Sequence, residues 1–117
     1  MPLFARWRPL ATLPARRGRD AQPGVYELAD DAKRTIYVGQ SGRDVPNRIR
    51  QHLAAGGCVA DRAAYWRTTY SATPKADEAE ALAAYAERHG GLPPCNRATQ
   101  VVRSADRRLA ERLRSDD

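Results

Sequence analysis

Two tyrosines, an arginine, a histidine and a glutamate have a spacing that could bring reactive groups together. Tyr26 and Tyr37 lie in two short β-prone runs joined by a polar turn, so a hairpin would place the two phenols side by side on one sheet face. Arg48 and His52 are four residues apart and would share one face of a helix. Glu78 falls on the inward face of a later helix, where a carboxylate is costly unless it is paired or binds a metal. Simpler interpretations are a phenol pair that only packs and a histidine that only faces solvent.

The hairpin is predicted over residues 24–39, GVYELADDAKRTIYVG. Asp30-Asp31-Ala32-Lys33 is a polar turn signal, and closing the chain about Asp31-Ala32 pairs Tyr26 directly with Tyr37. Residues 64–71 have the aromatic and β-branched content of a third strand, with Trp66 in the core.

Two helices are predicted from their end signals. Asp44 suits the N-cap of a helix that ends near residue 55, before a Gly-Gly pair. A second helix is predicted over residues 75–89, again ended by Gly-Gly, with Glu80 and Glu87 on its solvent face.

Residues 92–96, LPPCN, contain a double proline and are predicted to be non-helical. A stiff extended turn there would fix the position of Asn96. The alternative is that Asn96 is an ordinary turn residue.

The predicted fold class is α/β: a small three-stranded, largely antiparallel sheet flanked by helices, with an added C-terminal amphipathic helix. The chain divides into a basic, proline-containing N-terminal extension (1–23), a core (24–97) and a C-terminal helix packing on the core (98–117). In the extension, Phe4, Trp7 and Leu10 could form one helical turn, and residues 16–19 a mobile arm.

Positive charge is concentrated at the N-terminus. The formal net charge is +6, and residues 1–20 hold five arginines and one acid. Arginine forms forked contacts with phosphate, so Arg16, Arg17 and Arg19 are candidate nucleic-acid contacts. The alternatives are a solubilising tail and an arginine content that only reflects genome composition.

No apolar run approaches the roughly 18 residues that a membrane span needs, and no signal peptide is recognisable. Cys58 and Cys95 lack metal-ligand spacing and are predicted to be small buried residues in a reducing cytosol. We therefore expect a cytoplasmic protein with no membrane partner.

The tripeptides Gly24-Val25-Tyr26 and Tyr37-Val38-Gly39 resemble the signature of the GIY-YIG nuclease superfamily. That superfamily includes homing endonucleases, restriction enzymes and a nuclease domain of nucleotide-excision DNA repair. The resemblance covers residues 24 to about 97, since further family positions are matched at the expected distances by Arg48, His52, Glu78 and Asn96.

The resemblance implies a metal-dependent endonuclease that hydrolyses phosphodiester bonds in DNA, with RNA not excluded. Glu78 would hold Mg²⁺ or Mn²⁺, with Glu80 as the fallback ligand. Tyr26 would be the general base, and Tyr37 would position water or phosphate. Arg48 would stabilise charge on the phosphoryl oxygens. His52 would accept a proton or supply positive field, and Asn96 would order the site. One such site cuts one strand, so double-strand cleavage would need a homodimer or sequential attack.

The chain also departs from the family pattern. Gln40 stands where many members have a lysine, so Arg43 is a candidate replacement phosphate contact, with Arg50 as a further nucleic-acid contact. No accompanying DNA-binding domain is recognisable to carry sequence specificity. The alternative function is a catalytically inactive nucleic-acid-binding module on the same fold. A toxin-like or structural partner protein has no feature in its favour.

Overall fold

The computed structural model describes residues 5–98. Its strands are β1 (Arg8–Pro9), β2 (Gly24–Ala29), β3 (Thr35–Ser41) and β4 (Tyr65–Tyr70), and its helices are α1 (Val45–Ala54), α2 (Cys58–Arg62) and α3 (Pro74–His89). A 3-10 turn, Leu10–Thr12, follows β1. The predicted C-terminal helix lies outside the described residues.

The strands form one antiparallel sheet in the order β1-β4-β2-β3. The predicted α/β class is confirmed, but the sheet has four strands instead of three because the N-terminal segment adds β1 along β4. Pro9 is tolerated there because β1 is an edge strand, where a missing N–H disrupts no inner ladder. The predicted helical turn over residues 4–10 is wrong in the described part, which is mainly extended before the 3-10 turn.

The hairpin forms where predicted, but its register differs by two residues. Tyr26 lies opposite Gly39, and Tyr37 lies opposite Leu28. A slip of one residue would have reversed the faces, whereas a slip of two keeps both tyrosines on the same face.

A longer turn causes the difference. The Asp30 carboxylate accepts N–H bonds from Ala32 (3.0 Å) and Arg34 (2.9 Å), and Lys33 adopts a left-handed conformation with φ of 61°. The ladder is also irregular at Leu28/Ala29. The chain therefore does not close about Asp31-Ala32.

Helices cover both faces of the sheet. One core contains Tyr26, Leu28 and Trp66 packed with Val45 and Ile49 of α1, and it includes Val59 of α2. The other core joins the opposite face of the sheet to α3 through Val25, Val38, Ala81 and Leu82. Trp66 is fully buried, as predicted.

Local signals set the helix ends. The Asp44 side chain accepts the N–H of Asn47 at 3.1 Å, which confirms the predicted N-cap of α1. The helix α3 ends at Gly90, whose left-handed conformation (φ 77°) suits glycine.

The prediction for residues 92–96 is wrong in part. Residues 94–98 are helical, and the N–H of Arg97 bonds to the carbonyl of Pro93 at 3.1 Å. Pro94 opens this helix because the first helical residue needs no intrahelical N–H bond. Asn96 therefore lies on a first helical turn instead of an extended one.

The two cysteines are also not as predicted. Cys58 of α2 and Cys95 form a disulfide that joins residues 37 apart in sequence. Cys95 is fully buried in the first core, as expected, whereas Cys58 is only half-buried against it. None of the helices within residues 5–98 has the length and apolar character that a membrane crossing requires.

Candidate active site

The candidate site lies at the outer edge of the sheet, where the phenol of Tyr26 crosses Gly39. A Cβ atom on Gly39 would stand 2.5 Å from Cζ and 2.6 Å from the hydroxyl oxygen of Tyr26. Since β3 is an edge strand, the ring carries the hydroxyl from β2 toward the rim of the sheet. Gly39 supplies the gap that this crossing requires.

Tyr37 and His52 continue the site along the same face. The ring centroids of Tyr26 and Tyr37 are 6.1 Å apart, so the predicted juxtaposition of the phenols is confirmed. The His52 ring meets Tyr37 edge-on, with centroids 4.5 Å apart. His52 Nδ1 is buried and has no hydrogen-bond partner within the described residues.

Burial and three neighbouring side chains shift the pKa of Tyr26. Burial raises the pKa of the Tyr26 phenol well above its ordinary value, and the neighbouring Tyr37 and Glu78 raise that pKa further. The positive charge of Arg48 acts in the opposite direction and lowers it. Arg48 comes from α1 and Glu78 from α3, so charges of opposite sign from the two helical layers act on the pKa of one phenol. At neutral pH the phenol is protonated.

His52 is held in its neutral form. Burial lowers its pKa, and the charge of Arg48 one helical turn earlier lowers it further. Both effects make His52 a weaker proton acceptor than a histidine in water.

Asn96 hydrogen-bonds to the backbone of the edge strand β3 beside the site. Its Oδ1 accepts the N–H of Val38, and its Nδ2 donates to the carbonyl of the same residue, both at 2.9 Å. The side chain thus pairs with the free edge of β3 one residue before Gly39. The disulfide at Cys95 holds the adjacent backbone to α2.

The two candidate metal ligands on α3 differ in their surroundings. Glu78 is half-buried and its charge acts on the pKa of Tyr26, whereas Glu80 is exposed. Within the described residues, no group of three or more His, Cys, Asp or Glu side chains could hold a metal ion. A single carboxylate is nevertheless compatible with Mg²⁺, because this ion keeps several of its water ligands.

The predicted nucleic-acid contacts are dispersed. Arg43 is exposed in the loop before α1, and Arg16, Arg17 and Arg19 are exposed in the segment before β2. Arg50 instead has a structural role, because its guanidinium donates to the carbonyl of Pro14 and, at 3.2 Å, to the side chain of Asn47.

An open groove begins at Gln40, one residue after Gly39, and none of the candidate catalytic residues lines it. It has a volume of about 570 Å³ and lies between Gln40, Gly42 and the first turn of α3, where Lys75 lines it. Lys75 was not among the residues predicted from the sequence, and Gly39 was predicted only as part of a tripeptide. A glycine inside a strand was the available signal, since it often marks a close approach by another group.

The fold and the site define a class: a small α/β domain with a phenol-centred polar site at the edge of an antiparallel sheet. Residues 1–89 match the family described as "Domain of unknown function (DUF7508)", and the chain belongs to that family. The matched region contains every candidate catalytic residue except Asn96. No curated protein and no solved structure matches the chain.

Proposed function

We propose that this chain is a metal-dependent endonuclease of the GIY-YIG type that hydrolyses phosphodiester bonds in DNA, one strand per site. The supporting observation is that Tyr37 lies beside Tyr26, with ring centroids 6.1 Å apart, and that a cation, Arg48, and a carboxylate, Glu78, both shift the pKa of the Tyr26 phenol.

Hydrolysis forms a bond between a water oxygen and phosphorus and breaks the bond to the leaving oxygen. Arg48 would stabilise the negative charge that grows on the phosphoryl oxygens. Tyr26 would accept the proton of the attacking water, which requires that the phenol first lose its own proton. Of the neighbouring groups, the cation Arg48 lowers the pKa of the phenol and so favours this loss, and a metal ion bound nearby would favour it further. His52, whose ring meets Tyr37 edge-on, is the nearest nitrogen base along this face.

Glu78 would hold the divalent ion, Mg²⁺ or Mn²⁺, with water completing the coordination. When bound, such an ion supplies Lewis-acid stabilisation of phosphate or leaving-group charge. Asn96 would act indirectly, by holding the strand that carries Tyr37 and Gly39.

A plasmid-nicking assay with Mg²⁺ or Mn²⁺ tests the proposal. The wild-type chain should convert supercoiled DNA to the nicked form, and Glu78→Gln and Tyr26→Phe should each abolish that conversion. Glu87→Gln removes an exposed carboxylate from the same helix and is the matched control. Glu80→Gln should retain activity if Glu78 holds the metal. Metal-independent binding without cutting would overturn the proposal and favour the inactive binding module.

The proposal places the protein in the cytoplasm with its DNA substrate. A reducing cytosol does not ordinarily maintain a disulfide such as Cys58–Cys95. Alkylation of thiols at lysis followed by mass spectrometry would measure its redox state in cells. A fully oxidised pair would contradict a reducing location.

A further inference from the structure

We infer that the exposed side of α1, together with the docked segment of residues 14–22, forms a docking surface for the backbone of duplex DNA. The inference rests on the proposed function, since the partner is the DNA that the site would cut. It adds where the duplex lies and which arginines contact its backbone at a distance from the scissile phosphate.

The segment is fixed to the helix at both of its ends. The guanidinium of Arg50 donates to the carbonyl of Pro14, and the N–H of Val45 donates to the carbonyl of Gln22 at 3.1 Å. Turns at Ala21 and Gln22 shorten the path between these points. The mobile arm expected from sequence is thus a loop anchored along α1.

The loop and the catalytic residues lie on opposite flanks of α1. At 100° per residue, Arg48 and His52 fall on one side of the buried stripe, and Asn47 and Arg50 fall on the other. A helix with its side chains is about 10–12 Å across. The two flanks are therefore separated by a distance similar to the width of the DNA major groove, about 12 Å. Phosphates of a duplex can therefore reach both flanks.

The charge of this surface complements phosphate. The helix α1 contains no acidic residue between Val45 and Ala54. The acid in the loop, Asp20, accepts the hydroxyl of Tyr70 and lies 3.8 Å from Arg8, so its charge is engaged with β1 and β4. Within residues 5–98, Arg16, Arg17 and Arg19 form no ion pair, and all three are exposed.

The other helical face has the opposite character. The helix α3 carries the acids Asp77, Glu78, Glu80 and Glu87 against two basic residues, Lys75 and Arg88. The formal charge of this helix is negative, so the duplex would lie over α1 and approach α3 only where Glu78 holds the metal ion.

The test measures duplex affinity without cutting. Fluorescence anisotropy in EDTA would follow the binding of a 20-base-pair DNA from low to high salt. The variant Arg17→Gln/Arg19→Gln is compared with Arg88→Gln/Arg97→Gln, which removes the same charge from exposed positions elsewhere. Loss of two phosphate contacts should make the negative slope of log K against log salt shallower by about 1.8 and weaken binding about 60-fold at 0.1 M salt.

The loop variant alone should show this change, and the wild-type chain should bind duplex more tightly than the single strand of equal length. An unchanged slope, an equal change in the control pair, or preference for the single strand would each overturn the inference. If the double variant fails to fold, each single Arg→Gln variant should still make the negative slope shallower by about 0.9. The nicking assay is independent of this test. A slope change without nicking would refute the nuclease but support the docking surface. Nicking without a slope change would refute the docking surface but support the nuclease.

Discussion

Replacing Gly39 by alanine is the most direct test of the site geometry. The added Cβ would stand 2.5 Å from Cζ of Tyr26 and 2.7 Å from Cε1 of Tyr37. Carbon atoms in contact normally lie about 3.5–4.0 Å apart, so the overlap with each ring is about 1 Å. Tyr26 is 1% exposed in a strand paired on both sides, and it has little room to retreat.

We therefore expect Gly39→Ala to lower the free energy of unfolding by about 1–3 kcal/mol, the usual cost of overpacking. For a domain of this size, that corresponds to a fall in Tm of about 4–12 °C, measured by circular dichroism. A displacement of the phenol by about 1 Å should also slow nicking about 10²-fold.

Gly42→Ala is the matched control, because a Cβ there meets no atom within 4 Å. In a Tyr26→Leu background, Gly39→Ala should cost less, since the clash with Tyr26 is gone and only the clash with Tyr37 remains. A Tm for Gly39→Ala within 1 °C of the wild type, or the same cost in both backgrounds, would refute the crossing of Tyr26 over Gly39.

Three further predictions concern the supports of the site. Asn96→Leu removes both hydrogen bonds to Val38, so it should cost about 1–3 kcal/mol and speed amide exchange at Val38. The pKa of Asp30 is lowered, chiefly by the N–H of Arg34, so its stabilisation is present at neutral pH and is lost as pH falls through the folded pKa. Asp30→Asn should therefore lower Tm at pH 7 and have a smaller effect near pH 2. Reduction of the Cys58–Cys95 disulfide, which spans 37 residues, should cost about 4 kcal/mol by the chain-entropy account.

Each of these has a control in the same chain. Asn47→Leu loses only an exposed contact to Arg50 and should not affect exchange at Val38. Asp31→Asn alters an exposed carboxylate in the same turn, and an equal pH effect there would contradict the assignment to Asp30. The double serine variant of the two cysteines should be insensitive to reductant, and a reductant-dependent Tm in that variant would rule out the disulfide as the cause.

The sequence by itself determined the elements whose signals are local. Asp44 and the following proline start α1, Gly90 ends α3, and alternation places the two tyrosines on one face of a hairpin. These signals act within a few residues of the element that they define, so they can be read without the rest of the chain.

Only the tertiary structure decided the features that join distant segments. The addition of β1 to β4, the pairing of Cys58 with Cys95 and the hold of Asn96 on Val38 link residues that are 37 or more positions apart. The register of the hairpin also depended on context, because the side chain of Asp30 formed a longer turn than the residue types required. The combined effect of Arg48 and Glu78 on the pKa of Tyr26 follows from how two helices pack on opposite faces of one sheet, and no short-range pattern in the sequence encodes that packing.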